Sequence, residues 1–168
     1  MASSYKTKKD SFSRMVKELK AVDGLTVEVG ALTGENAWLA AIHEFGCNIT
    51  VTPKMRAYLH SRGLHLKDST TVIRIPERSF LRTGYDTNRD AVLEYAKMLV
   101  AEVSEGRLTK DELAEAVGLH LASAIKDYAV DLKKPANHPF TIEQKGSSNP
   151  LVGSSGDMIE SITWRIAK

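Results

Sequence analysis

The sequence predicts an α+β fold, a mostly antiparallel sheet covered on one face by a long helical hairpin. Two patterns carry that expectation. Short runs with β-branched or aromatic residues at alternate positions fall near residues 25–29, 48–52, 71–75, 139–143 and 161–167, the period of half-buried strands. Two long runs with apolar residues three and four apart follow one another, starting at Ala91 and at Thr109, as the arms of a helical hairpin do. A third observation sets the domain count: the 168 residues hold neither an internal repeat nor a linker, so residues 1–168 read as a single domain.

Residues 1–9 are polar and read as a flexible arm. Phe12, Met15, Val16 and Leu19 then mark one face of a short helix that Gly24 ends. Leu25, Val27 and Val29 alternate with Thr26 and Glu28 as a half-buried strand does. Asn36 is the expected N-cap of a helix that places Trp38, Ala41, Ile42 and a packed Phe45 on one face before Gly46 stops it. Ile49 and Val51 suggest a second strand, and Thr52-Pro53 supplies the cap and first position of a short helix to Arg62. Residues 53–70 thus form a basic excursion between two strands, carrying Lys54, Arg56, His60, Arg62, His65 and Lys67. Excursions of this length are often functional, the alternative being a solvated flap. With Met55, Tyr58 and Leu59 as its main anchors, the stretch from Pro53 to Asp68 is expected to be mobile until assembly orders it.

Val72-Ile73-Arg74-Ile75 alternate, and Pro76 removes the next backbone donor, which ends the strand. In the helix that follows, Val92, Tyr95, Ala96, Leu99 and Val103 share one face, while Glu94, Lys97 and Glu102 face water. Gly106 breaks it. Thr109 and Glu112 have the spacing of a capping box, and Leu113, Val117, Leu121, Ile125, Tyr128 and Leu132 continue at helical spacing to about Lys133. Phe140-Thr141-Ile142 read as a brief strand, residues 145–155 as a flexible loop rich in glycine and serine, and Ile162, Trp164 and Ile166 as the buried face of a last strand. That strand can pair within its own chain or accept a neighbour's strand.

A hydrophobic fraction of 42% and a charged fraction of 26% belong to a water-soluble globular protein. Cys47, the single cysteine, leaves no internal disulfide, and no Cys/His spacing suggests a structural zinc. Met1–Lys9 lacks the apolar centre of a signal peptide and no apolar run reaches membrane-spanning length, so synthesis in a reducing cytoplasm with no membrane partner is expected. A net charge of +2 is too small to argue for nucleic acid, but it is unevenly distributed. Between Pro53 and Arg82, seven cations face Asp68 and Glu77, a net +5; from Gly84 to Lys134, ten acidic residues outnumber seven basic ones, a net −3. A subunit so divided is suited to head-to-tail association, although solvated asymmetry is the commoner cause.

Arg78-Ser79-Phe80-Leu81-Arg82 sets an aromatic and an aliphatic anchor between two guanidinium groups, the composition of a docking surface. Arg78, Phe80 and Arg82 are therefore candidate partner-binding residues, with Lys54, Arg56 and Arg62 of the excursion as a second group. The alternative is that Phe80 and Leu81 only seat the helix start on the sheet. His43-Glu44 invites a metal or acid–base reading, but no second histidine follows four residues on, and a surface pair beside the packed Phe45 is the plainer expectation. The glycine-rich 145–155 segment lacks the Gly-Lys-Ser/Thr of a phosphate loop. No catalytic residue, metal site or cofactor is expected. Two competing classes are a small metal-dependent nucleic-acid enzyme using His43, Glu44 and the basic segment as its site, and a DNA-binding module, whose duplex affinity would fall steeply with salt.

Three stretches together resemble the tail-completion, or head–tail joining, proteins of tailed bacteriophages and prophages, a family whose kin include phage Mu protein G and lambda protein Z. They are Ile42-His43-Glu44-Phe45-Gly46, Ile75-Pro76-Glu77-Arg78-Ser79-Phe80-Leu81-Arg82, and Asn149-Pro150-Leu151-Val152-Gly153-Ser154-Ser155-Gly156-Asp157-Met158-Ile159-Glu160-Ser161-Ile162. The likeness spans residues 36–166 and departs at Ser155, where threonine is usual. It implies a structural virion protein of the neck, made in the bacterial host cytoplasm, that completes the tail and joins it to the head through contacts with other neck and tail proteins. It further implies a homo-oligomeric ring around the DNA channel, with DNA passing nearby and not recognised by sequence, and no catalytic residues. A monomer before assembly is compatible with that role.

Overall fold

The computed structural model describes residues 2–153 and 155–167, with side chains from Asp10 onward. Helix α1 (Ala2–Val22) leads to strand β1 (Val27–Ala31), helix α2 (Gly34–Phe45), strand β2 (Cys47–Thr50), helix α3 (Pro53–Ser61) and strand β3 (Val72–Ile75). The long helices α4 (Phe80–Ser104) and α5 (Lys110–Asp131) follow, then short helices α6 (Pro139–Lys145) and α7 (Asp157–Glu160) and strand β4 (Ile162–Ile166). The α+β class and the helical hairpin are as the sequence predicts, and α5 of that hairpin packs against strands. The strands form two separate antiparallel ribbons: β1 with β4, from Val27 opposite Ile166 to Ala31 opposite Ile162, and β2 with β3, from Cys47 opposite Ile75 to Thr50 opposite Val72. The last strand thus pairs within its own chain.

The main core lies where α4, α5, the β1–β4 ribbon and α7 meet, around Phe80, Val92, Leu121, Ile125, Met158 and Ile162. Two glycines let these layers approach. A β-carbon on Gly84 would sit 3.4 Å from Ile125 of the facing arm, and one on Gly118 would fall 2.5 Å from Cγ of Trp164, so the indole lies on bare α5 backbone. Ile162, Trp164 and Ile166 face the hairpin side of the ribbon while Thr163 and Arg165 are exposed, as their alternation predicts.

Three local expectations are corrected, at the N-terminus, at residues 139–143 and in α2. The segment read as a polar arm continues α1, whose helix begins at Ala2; Met1 lies outside the described residues. Residues 139–143 are helical: Pro139 occupies the first turn, Nδ1 of His138 accepts the Phe140 amide at 3.2 Å, and Gly146 closes α6 in the left-handed region. Three alternating residues were too few to outweigh those caps. Within 145–155, Pro150 and Leu151 are buried, and Oδ1 of Asn149 accepts the amides of Leu151 and Val152 at 2.8 and 2.7 Å; Ser154 lies outside the described residues. Helix α2 begins at Gly34, with Thr33 and not Asn36 in the N-cap position and no side-chain capping bond, and it turns Ala40 and Glu44 inward while Trp38, Ala41 and Phe45 face solvent.

Candidate partner-binding site

The segment Ile75–Arg82 is the joint between the two ribbons' surroundings. Gly46 (φ +68°) ends α2 with no room for a side chain, since a β-carbon there would lie 2.7 Å from the Ile75 carbonyl oxygen and 2.8 Å from the Glu77 nitrogen. That close passage sets the strand end of β3 against the end of α2. One residue on, the Arg78 amide donates to the His43 carbonyl at 2.7 Å.

Helix α4 starts at Phe80, eleven residues before the point where its amphipathic pattern becomes readable. Its N-cap, Ser79, makes no side-chain capping bond. The cap comes from α2: Oε2 of Glu44 accepts the Leu81 amide at 2.8 Å, and Oε1 accepts the Arg82 amide at 3.1 Å. Glu44 is 2% exposed, and its desolvated carboxylate is satisfied by these two amides, by the positive end of the α4 dipole, and by Nε of Arg82 at 2.8 Å. Arg82 also donates to Glu77 at 2.6 Å and lies 5.0 Å above the Phe45 ring. Hydrogen bonds to Glu44 and Glu77 hold its guanidinium pKa above the ordinary value. The expectation that His43-Glu44 is a surface pair beside a packed Phe45 is thereby reversed: Glu44 is buried, and Phe45 is 65% exposed.

Phe80 has no exposed surface and sits in the core, where burial of its ring stabilises the fold by about 2–3 kcal/mol. Arg78 is 4% exposed; it donates through Nε to the Pro135 carbonyl (2.9 Å), through Nη2 to Asn137 Oδ1 (3.0 Å) and the Ala136 carbonyl (3.4 Å), and through Nη1 to His43 Nδ1 (3.2 Å). An arginine cannot accept, so Nδ1 of His43 does, and the imidazole proton is on Nε2. Burial, then the positive charges of Arg78 and Lys145, lower the His43 pKa to about 4, which keeps the ring neutral near pH 7. Arg78 and Phe80, read from the sequence as partner contacts, therefore serve the subunit's own interior. Of that trio only Arg82 belongs to the exposed surface; Phe80 and Arg78 are buried.

The second group divides as well. Arg56 reaches across the excursion to the carbonyls of Leu66 (3.1 Å), Lys67 (3.0 Å) and Thr70 (2.7 Å), closing the 64–71 segment onto α3. Arg62 donates to Gln144 Oε1 at 2.6 Å, linking α3 to α6. Nδ1 of His60 and Nδ1 of His65 lie 2.7 Å apart on the same excursion. Lys54 is exposed. The +5 segment is less basic at its surface than in its sequence, because Arg78 is buried and Arg82 faces two carboxylates.

The feature that sequence reasoning placed on the wrong side is the outer face of α2. Trp38 is 70% exposed, and with Ala41 and Phe45 at three- and four-residue spacing it forms an apolar strip ending at the Arg82 guanidinium. Its periodicity was visible; its direction was set by Glu44, which must point at α4. Among the described residues no group of three or more His, Cys, Asp and Glu side chains is arranged to hold a metal, and no helix is long and apolar enough to cross a membrane. No family model, curated protein or solved structure matches the chain.

Proposed function

We propose that this chain is a structural virion protein of the phage neck, completing the tail and mediating head–tail joining by protein–protein contacts around the DNA channel. The observation that carries the reading is the exposed Trp38–Ala41–Phe45 strip beside Arg82. Aromatic and arginine side chains are the residues most enriched where protein partners dock, and an apolar strip of this kind is costly to leave in water. The resemblance of residues 36–166 to tail-completion proteins supports the particular role, in which the strip would dock on other neck or tail proteins or a neighbouring copy in a ring.

The jobs held by His43 and Glu44 also support a binding role over the enzymatic alternative. Both Glu44 oxygens cap α4, which commits that carboxylate to the fold, and His43 Nδ1 accepts from Arg78, which leaves Nε2 protonated and unable to serve as a general base. The test is a Trp38→Ala, Phe45→Ala double variant. Because both side chains are exposed, circular dichroism and melting should stay close to wild type, within about 0.5–1 kcal/mol. Phage carrying it should accumulate filled heads and unattached tails by electron microscopy; a wild-type yield of joined particles would sink the proposal.

A further inference from the structure

We infer that the cleft between α2, α6 and residues 150–153 and 155–158 is a binding site for a small oxyanion, a carboxylate or a phosphate. The inference is independent of the neck assignment. The cleft has a volume of about 300 Å³, and His43, Asn137, Thr141, Lys145, Ser155 and Asp157 contribute its polar lining.

Lys145 on the lining and Arg78, which bonds the lining residues His43 and Asn137, have no ion-pair partner among the described residues. Arg78, directly behind the lining, has carbonyls, an amide oxygen and an imidazole nitrogen as partners, all neutral. Lys145 donates to the carbonyls of Asn149 (2.8 Å) and Pro150 (3.2 Å), again neutral. Among the described residues neither takes part in an ion pair. Burial and the neighbouring Arg78 lower the pKa of the half-buried Lys145, so the two charges oppose one another. Buried charges are ordinarily paired, and an arriving anion would relieve both the desolvation and the repulsion.

The donors an anion needs are also present. An ammonium group has three N–H bonds, of which Lys145 uses two on carbonyls. His43 is neutral with its proton on Nε2, and among the described residues that nitrogen has no hydrogen-bond partner and is not sealed from solvent. Thr141 and Ser155 add hydroxyl groups on the lining. Asp157, on the same lining, leaves the site a net charge of about +1 with both cations counted, which suits a compact anion better than a polyanion.

Titration of the full chain with inorganic phosphate and, separately, with acetate tests this, each against sodium chloride at equal ionic strength. At least one should give a saturable rise in melting temperature, and saturable amide shifts at residues 36–43 and 137–157, where chloride gives none. Lys145→Met should weaken that binding by about tenfold or more, whereas Lys145→Arg, keeping charge and donors, should retain it. The inference is overturned if neither anion saturates, if chloride does the same, or if Lys145→Met binds like wild type. Should Lys145→Met fail to fold, the wild-type shift map decides: shifts centred away from the cleft overturn it equally.

Discussion

The two arms of the hairpin begin in different ways. Helix α5 is capped by its own first turn: Thr109 Oγ1 accepts the Glu112 amide at 3.3 Å, and Glu112 Oε2 accepts the Thr109 amide at 2.8 Å. Helix α4 has no such local partner and takes its cap from Glu44, 37 positions earlier in the chain. Both arrangements satisfy orphan amides with a carboxylate near the positive end of a helix. The α5 cap only starts a helix; the α4 cap also fixes where α2 lies, which face of α2 is exposed, and where Arg82 sits. A helix start made from a distant residue ties fold to surface, and a local one does not.

That contrast can be broken most directly at Glu44. Glu44→Ala should lower stability by about 3 kcal/mol, since it leaves the Leu81 and Arg82 amides without their acceptor in a buried place, and urea unfolding measures it. It should also release α2, changing the fluorescence of Trp38. A loss under about 1 kcal/mol would mean that water replaces the carboxylate and that the joint is weaker than its geometry implies.

The matching change at the other arm is Thr109→Ala, which should cost about 1 kcal/mol, the ordinary value for a lost N-cap, and should leave α2 and the tryptophan signal alone. Equal effects of the two variants would erase the distinction between local and distant caps.

The smallest expected effect concerns acid. Hydrogen bonds from the Thr109 backbone and then its side chain lower the Glu112 pKa from 4.5. A carboxylate whose pKa is lower in the folded state gives stability that is present above pH 4.5 and is lost as pH falls through its folded pKa. Glu112→Gln should therefore reduce the acid dependence of melting below pH 4.5 without steepening it anywhere; a steeper acid loss in the variant would contradict the sign.

Features whose causes lie within a few residues of one another are legible from the residues alone. The capping box of α5, the Thr52-Pro53 start of α3, the stops at Gly46 and Gly106, and the alternation of Ile162, Trp164 and Ile166 could all be read directly. Tertiary structure alone decided that the strands separate into two ribbons, that α4 begins at Phe80, and that Trp38 and Phe45 face water. For the candidate site the division was the same. The segment Arg78–Arg82 stood out by composition, yet which of its side chains is buried depended on partners such as Glu44, His43 and Pro135. A periodic pattern shows that two residues share a face, but a buried charge must be satisfied wherever its donors are, and Glu44 turned α2 accordingly.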